Sequence, residues 1–266
     1  MLRDITIGQF YPVDSAIHRM DPRFKILGAF AFIFSLFAVK SLALYPLVIA
    51  FIGMTIIISK VPVSYILRGL KPIMFIIIFA FLINMFLTPG NPIFKMGPFT
   101  ITYEGIIQAV FMASRLILLI IGTSLLTLTT SPIELTDGIE RLLNPFKRIG
   151  VPAHELAMMM TIALRFIPTL LEETDKIMKA QMARGADFES GNLVKRAKSL
   201  IPLLVPLFIG AFRRADELAM AMEARCYRGG ENRTRMKVLK YTSVDYIGIT
   251  VLTIYIITMI ILGRVI

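Results

Sequence analysis

The chain has 266 residues, 56% of them hydrophobic, with a mean hydropathy of +0.73 and a net charge of +11. Apolar content this high, gathered into long runs, excludes an ordinary soluble domain and points to bilayer spans. The single cysteine, Cys226, excludes an intrachain disulfide and a cysteine-cluster metal site, and the two histidines, His18 and His154, lie too far apart in sequence to suggest a metal site by themselves.

Met1 leads into Arg3, Asp4, Gln9 and Asp14 with no apolar h-region, so no cleavable signal peptide is expected. Asp21-Pro22 reads as a helix start, because Asp can cap and Pro fits the first helical position. Apolar stretches at Ile26–Val39, Leu42–Ser59, Ile73–Thr88 and Ile106–Thr129 read as spans, and Tyr246–Leu262 as a last one. A crossing helix needs about 20 apolar residues. The first stretch is short, and Lys25 and Lys40 at its ends can snorkel to extend its reach.

The basic residues set the orientation. The N-terminal segment carries Arg3, Arg19, Arg23 and Lys25, the loop after the second span Lys60, Arg68 and Lys71, and residues 130–245 carry 18 Lys and Arg. The alternate loops carry only Lys40 and Lys95, and the tail adds Arg264. Basic residues collect on the cytosolic side, so the excess charge reads as topology rather than as a nucleic-acid surface. The N-terminus and the middle section are expected inside and the C-terminus outside. Arg115 is the one basic residue at membrane depth; it faces other helices or marks where its span begins.

The middle section is too long for a loop and too polar to be more spans. Ser131-Pro132-Ile133-Glu134 reads as a capping box. Asn144-Pro145 and Gly150-Val151-Pro152 punctuate the chain. A helical pattern then runs from about Ala153 to Arg184, with Pro168 as a kink and Gly185 as its stop. After a Ser190-Gly191-Asn192 loop, a second runs from about Leu193 to Arg225, interrupted near Pro202 and Pro206. The apolar runs Leu156–Leu171 and Leu200–Phe212 are read as helices in or near the inner interface, since spans there would place Arg184, Lys195, Arg196 and Lys198 outside. The fold class is all-α: a polytopic membrane protein with about five transmembrane helices. Residues 1–129 hold four of them, 130–245 form a cytosolic domain of long helices, and 246–266 form the last span.

Asp175–Arg184 and Asp216–Arg225 share one pattern, Asp-x4-Ala-x2-Ala-Arg, 41 residues apart. Ala180 and Ala183 share a helix face, where small side chains admit another helix closely. An arginine at a helix C-terminus is favoured by the helix dipole and offers a planar, permanently charged fork. Ala is also the best helix former and Arg is common near helix ends, which alone could produce the match. Two like helix ends suit a partner with two like pockets, as a dimeric partner offers.

With these motifs the sequence resembles the transmembrane coupling (T) component of energy-coupling factor (ECF) vitamin transporters, an EcfT/CbiQ-like family with two Ala-Arg-Gly motifs at the ends of two cytosolic coupling helices. Ala183-Arg184-Gly185 matches fully, and Ala224-Arg225-Cys226 has Cys where Gly is usual. Asp21-Pro22-Arg23-Phe24-Lys25 and Leu164-Arg165-Phe166-Ile167-Pro168 also look like the family, and the resemblance covers nearly the whole chain. It implies that Ala183, Arg184, Gly185, Ala224, Arg225 and Cys226 dock two ABC-type ATPase subunits. It further implies a grip on a membrane-embedded substrate-binding S component, for which Met158, Met159, Pro202 and Pro206 are the candidate contacts. The methionines Met158, Met159, Met160, Met178, Met182, Met220 and Met222 suit either an adaptable partner surface or ordinary apolar packing. Implied with this are vitamin or micronutrient uptake at the inner membrane of a prokaryote, no cofactor, no metal, no nucleic acid, and ATP hydrolysis on the partners. The chain has no Gly-x4-Gly-Lys-Ser/Thr loop of its own.

Three other readings compete. One is the equivalent subunit of a cobalt or nickel importer. Another is a membrane enzyme whose Arg165, Arg184 and Arg225 bind a lipid phosphate. The third is a stand-alone permease, for which the spans offer only Asn84, Gln108 and Arg115. The carboxylate pairs Glu172-Glu173 and Asp216-Glu217 read as solvated or ion-paired groups rather than catalytic ones.

Overall fold

The computed structural model describes residues 10–39, 41–96, 99–188, 192, 194, 198–230 and 239–265. The chain divides into two compact units, residues 8–138 with 238–266, and residues 1–7 with 139–237.

In the first unit, a short helix α1 (Ala16–Arg19) precedes α2 (Pro22–Ala38). Asp21 caps α2 as its sequence suggests, its carboxylate accepting the Arg23 N–H at 2.9 Å. At 17 residues α2 is about 25 Å long and covers most, not all, of a hydrocarbon core of about 30 Å. α3 (Tyr45–Ser59) ends on Lys60 in the left-handed conformation. The expected loop after it is largely helical instead: α4 (Val63–Leu70) and a 3-10 turn lead into α5 (Met74–Leu87), because Pro72 sits in the first turn, where its missing N–H costs nothing. The outer loop carrying Lys95 is a β-hairpin, β1 (Pro92–Met96) antiparallel to β2 (Phe99–Thr102), with Phe94 opposite Ile101 and a register shift between Pro92 and Phe94. α6 (Tyr103–Thr129) starts on a Thr102 cap, and α10 (Ser243–Val265) closes the unit.

The core of this unit joins α2, α3, α6 and α10. Phe51 stacks on Tyr255 with ring centroids 4.2 Å apart, Phe32 lies against both, and the Tyr255 hydroxyl is 3.1 Å from Ser35 Oγ. Gly122 makes room for this: a Cβ there would stand 2.5 Å from the Phe32 ring. Arg115 lies mid-α6, so it does not mark a span start. Its guanidinium donates to the Val39 carbonyl at the C-terminal end of α2 (2.9 Å) and lies 4.6 Å from the Phe111 ring centroid. The helix-end carbonyl and the aromatic faces together stabilise a charge at this depth. Outward-facing Phe34 and Phe37 of α2, Ile57 of α3, and Phe75 and Leu87 of α5 are exposed. A surface this apolar is matched to acyl chains, not to water.

A polar clasp joins the starts of α2 and α10. Asp245 is fully buried and accepts from the Asp21 N–H (2.7 Å), the Thr242 N–H (2.7 Å) and the Thr242 hydroxyl (2.8 Å). Arg23 pairs with Asp21 at 2.7 Å and lies over the Tyr241 ring at 4.4 Å. Burial pushes the Asp21 carboxyl up, but the Arg23 hydrogen bonds outweigh it and leave the group below the usual carboxylate value.

The second unit is built on α8 (Ala153–Ala183) and α9 (Ile201–Ala224), with α7 (Pro132–Leu143) running across the boundary between the units. Ser131 caps α7, accepting the Glu134 N–H at 3.3 Å. Helical residues at Val194, Lys198 and Ser199 precede a turn at Leu200, so the helical stretch is broken next to Pro202 as expected, with Pro202 in the first turn of α9, while Pro168 and Pro206 lie inside continuous helices and Pro206 interrupts nothing.

Among the described residues five helices are long and apolar enough to cross a membrane: Leu42–Ser59, Val63–Leu87, Tyr103–Thr129, Ala153–Ala183 and Ser243–Arg264. The chain is an all-α polytopic membrane protein. The set differs from the expected one in that α2 is too short to count and α8 qualifies. The apolar part of α8 is its N-terminal half; Glu172, Glu173, Asp175, Lys176 and Lys179 follow it.

Candidate functional site: two arginine-tipped helices

The repeated pattern folds into two equivalent helix ends. At the end of α8, Gly185 has φ +88° and its N–H donates to the Met182 carbonyl at 2.9 Å, while the Ala186 N–H donates to the Gln181 carbonyl at 2.9 Å. At the end of α9, the Cys226 N–H donates to the Glu223 carbonyl at 2.8 Å and the Tyr227 N–H to the Met222 carbonyl at 3.0 Å. Both are Schellman motifs, in which a left-handed residue after the last helical one lets two amides fold back onto the final carbonyls. Cys226, at φ +56°, holds the place of Gly185. The missing glycine has not altered how the second helix stops. It does cost energy, since a side chain in this region is disfavoured by about 1–2 kcal/mol. Cys226→Gly is therefore expected to stabilise the end of α9 by about 1 kcal/mol, seen as slower amide hydrogen exchange at the last turn. Unchanged or faster exchange would show that the Cys226 side chain makes a compensating contact.

Each motif puts its arginine at the C-cap. Arg184 and Arg225 are exposed, and neither side chain has a partner among the described residues. Ala180, Ala183, Ala221 and Ala224 are exposed as well, so the small-residue faces are open to a second helix.

The two helices pack antiparallel. Glu173 on α8 is ion-paired with Arg214 on α9, with both side chains a little over a quarter exposed. Gly210 makes the approach possible, because a Cβ there would stand 3.1 Å from Glu173 Oε1. Further along, Ile162, Arg165, Phe166 and Thr169 of α8 line a groove with Arg214, Glu217 and Leu218 of α9. In the 41-residue register of the repeat, Glu173 corresponds to Arg214. Equivalent positions thus meet each other, which is the signature of a local two-fold axis between antiparallel helices. Arg184 and Arg225 each lie 11 residues past that point, about 16 Å along each helix and in opposite directions. Along the helix axes they are therefore about 33 Å apart.

The candidate contacts for a membrane partner lie elsewhere on the same helices. Met159 is 55% exposed, Met158 is half-buried, and Pro202 and Pro206 are exposed. With Ile201, Leu204, Val205, Phe208 and Phe212, also exposed, the two prolines form an open apolar stripe along α9. Of the carboxylate pairs, Glu173 is ion-paired, and Glu172, Asp216 and Glu217 are exposed.

One cluster was not legible in the sequence. His154 Nδ1 lies 3.0 Å from Glu140 Oε1, and its Nε2 lies 3.2 Å from the Tyr227 hydroxyl. The three come from α7, α8 and the segment after α9, too far apart in sequence for spacing to connect them. Among the described residues no group of three or more His, Cys, Asp or Glu is placed to hold a metal ion.

Residues 14–236 match the CbiQ family, described as a cobalt transport protein. The chain is 65% identical over 244 residues to the energy-coupling factor transporter transmembrane protein EcfT of Thermosediminibacter oceani, covering 92% of each chain. It is 62% identical over 250 residues to the EcfT of Clostridium kluyveri, covering 93% of each. It is 50% identical over 246 residues to that of Bacillus subtilis, covering 92% of this chain and 93% of the relative.

Proposed function

The chain belongs to the CbiQ family, as a transmembrane component of an energy-coupling factor transporter, and on that footing we propose that it joins two cytosolic ATPase subunits to a membrane-embedded substrate-binding S component. The cobalt or nickel importer does not hold as an alternative. Relatives at 50–65% identity over more than nine-tenths of the chain carry the energy-coupling factor name, and the cobalt description attaches to the broader family. The chain is a transport component and not an enzyme; ATP hydrolysis falls to its partners.

One observation carries the proposal. Two exposed arginines, with no side-chain partner among the described residues, stand on matched helix ends, related by a local two-fold and pointing in opposite directions. Such a pair is built to meet two like pockets. In each, the guanidinium reaches a carboxylate or carbonyl and the flanking alanines let a groove wall close in. ATP binding and hydrolysis move the two ATPases relative to each other. Helices anchored at their tips and crossing near Glu173–Arg214 convert that motion into a rotation about the crossing, a rigid-body transition. The apolar stripe of α9, with Met158 and Met159, receives the S component, and methionine side chains allow it to accept more than one. The vitamin or other micronutrient is chosen by that S component. The excess of basic residues in the N-terminal segment, the loop after the second span and the middle section supports a reading in which the N-terminus and both arginine tips lie on the cytosolic side of a prokaryotic cell membrane.

The test is recovery of the tagged chain from native membranes in mild detergent, with its bound subunits identified by mass spectrometry. Two ATPase subunits per chain and at least one small membrane protein are expected. Recovery of the folded chain alone from membranes that contain those subunits would reject the proposal.

A further inference from the structure

We propose that Glu140, His154 and Tyr227 form a brace that positions the Arg225 tip, and that the two docking arms are therefore mechanically unlike. The inference rests on the docking reading above and deepens it.

Tyr227 does two things at once. Its N–H closes the α9 end by donating to the Met222 carbonyl, and its hydroxyl reaches His154 Nε2 at 3.2 Å. His154 is in the first turn of α8, and its Nδ1 reaches Glu140 Oε1 on α7 at 3.0 Å. A carboxylate only accepts, so Nδ1 donates to Glu140, and in the neutral ring Nε2 then accepts from the Tyr227 hydroxyl. The histidine and glutamate side chains are 22% and 13% exposed, so water competes weakly for these bonds. The chain after the tip also wraps the imidazole: a Cβ at Gly230 would stand 2.5 Å from His154 Cδ2, and Gly229 turns the backbone with φ +84°. Only glycine fits both requirements, close approach at Gly230 and a left-handed turn at Gly229.

The other arm lacks this device by sequence. In the 41-residue register, Tyr227 corresponds to Ala186, whose N–H closes the α8 end in the same way but whose methyl group cannot make the side-chain contact. The Arg225 tip is thus tied through Tyr227 to the start of α8 and to α7, whereas at the Arg184 tip the corresponding Ala186 has no side-chain group for such a bond.

Tyr227→Phe removes the hydroxyl and keeps the ring. Two measurements test the brace. In the isolated chain, exchange of the Cys226 and Tyr227 amides should speed up about fivefold, the effect of one lost hydrogen bond, with the Gly185 and Ala186 amides unchanged. In the complex, Tyr227→Phe should lower ATPase affinity about fivefold in an Arg184→Ala background and by less than about twofold in an Arg225→Ala background. His154→Asn should reproduce the same pattern. Equal exchange at the two tips, or equal effects in the two backgrounds, would overturn the brace. If neither arginine variant alone weakens ATPase binding, the docking reading fails, and the exchange measurement still decides whether the brace exists.

Discussion

Reversing both tip charges, Arg184→Glu with Arg225→Glu, is expected to abolish recovery of the ATPase subunits and ATP-dependent uptake while leaving the chain inserted in the membrane. The separation of these effects follows from exposure. Both arginines are at the surface with no side-chain partner among the described residues, so within the chain their replacement costs little. A glutamate at a helix C-terminus opposes the dipole by about 0.3–1 kcal/mol, too little to melt either helix. At an interface the arithmetic is different. Removing one partner of a buried, charge-assisted pair costs about 2–5 kcal/mol, roughly 30-fold or more in affinity, and reversal adds repulsion. Each single reversal should therefore weaken binding by at least about 30-fold at its own arm. The two arms act through one chain, so losing one also removes the avidity of the other. Arg→Lys at either tip should fall between wild type and Glu, because an ammonium cannot make the planar two-pronged contact. Normal ATPase recovery by the double variant, inserted and folded, would reject docking through these residues.

What was legible in advance divides along physical lines. Features fixed by near neighbours in the chain could be read: the Asp21 and Ser131 caps, the apolar spans, the stop at Gly185 and the repeat ending at Arg225. Features fixed by what packs opposite could not. Pro206 looked like an interruption, as Pro202 beside the break at Leu200 is, but it lies inside a continuous helix, because a proline's effect depends on whether the packing around it holds the helix together. The hairpin at Pro92–Thr102 was hidden by the shortness of its strands. Arg115 was recognised as a charge at depth, but its accepting carbonyl, Val39, is 76 positions away. The same holds for the site. The tips were found by local pattern, and the axis that relates them was not. That axis depends on Glu173 meeting Arg214 and on Gly210 leaving room, facts of the register between α8 and α9. Cys226 is the instructive intermediate case. The residue type argued against a glycine-style stop, yet the backbone hydrogen bonds of the Schellman motif carry the cost of a non-glycine residue at positive φ.

Asp245→Ala should do the opposite of the tip reversals, collapsing the fold of the membrane unit without touching a docking residue. Asp245 is fully buried at the first turn of α10, where a carboxylate is favoured by the helix dipole. Its two oxygens accept from the Asp21 N–H, the Thr242 N–H and the Thr242 hydroxyl, so alanine strands these donors at once. Each buried donor left unpaired costs about 1–3 kcal/mol, and the losses overlap, giving about 3–5 kcal/mol in all. For a chain of this size that corresponds to a fall in Tm of about 10 °C in detergent. Asp245→Asn should lose less, because one amide oxygen still accepts, but its NH2 then faces a donor where the second oxygen stood. Disorder should spread from there, since Asp21 also caps α2 and holds Arg23 over Tyr241. A loss of less than about 2 °C for the alanine variant would mean that water enters and satisfies these donors, and that the clasp does not hold α2 to α10. The two substitutions together separate the proposed roles: the tip reversals test recognition with little expected change in the fold, and the clasp substitution tests the fold of the membrane unit.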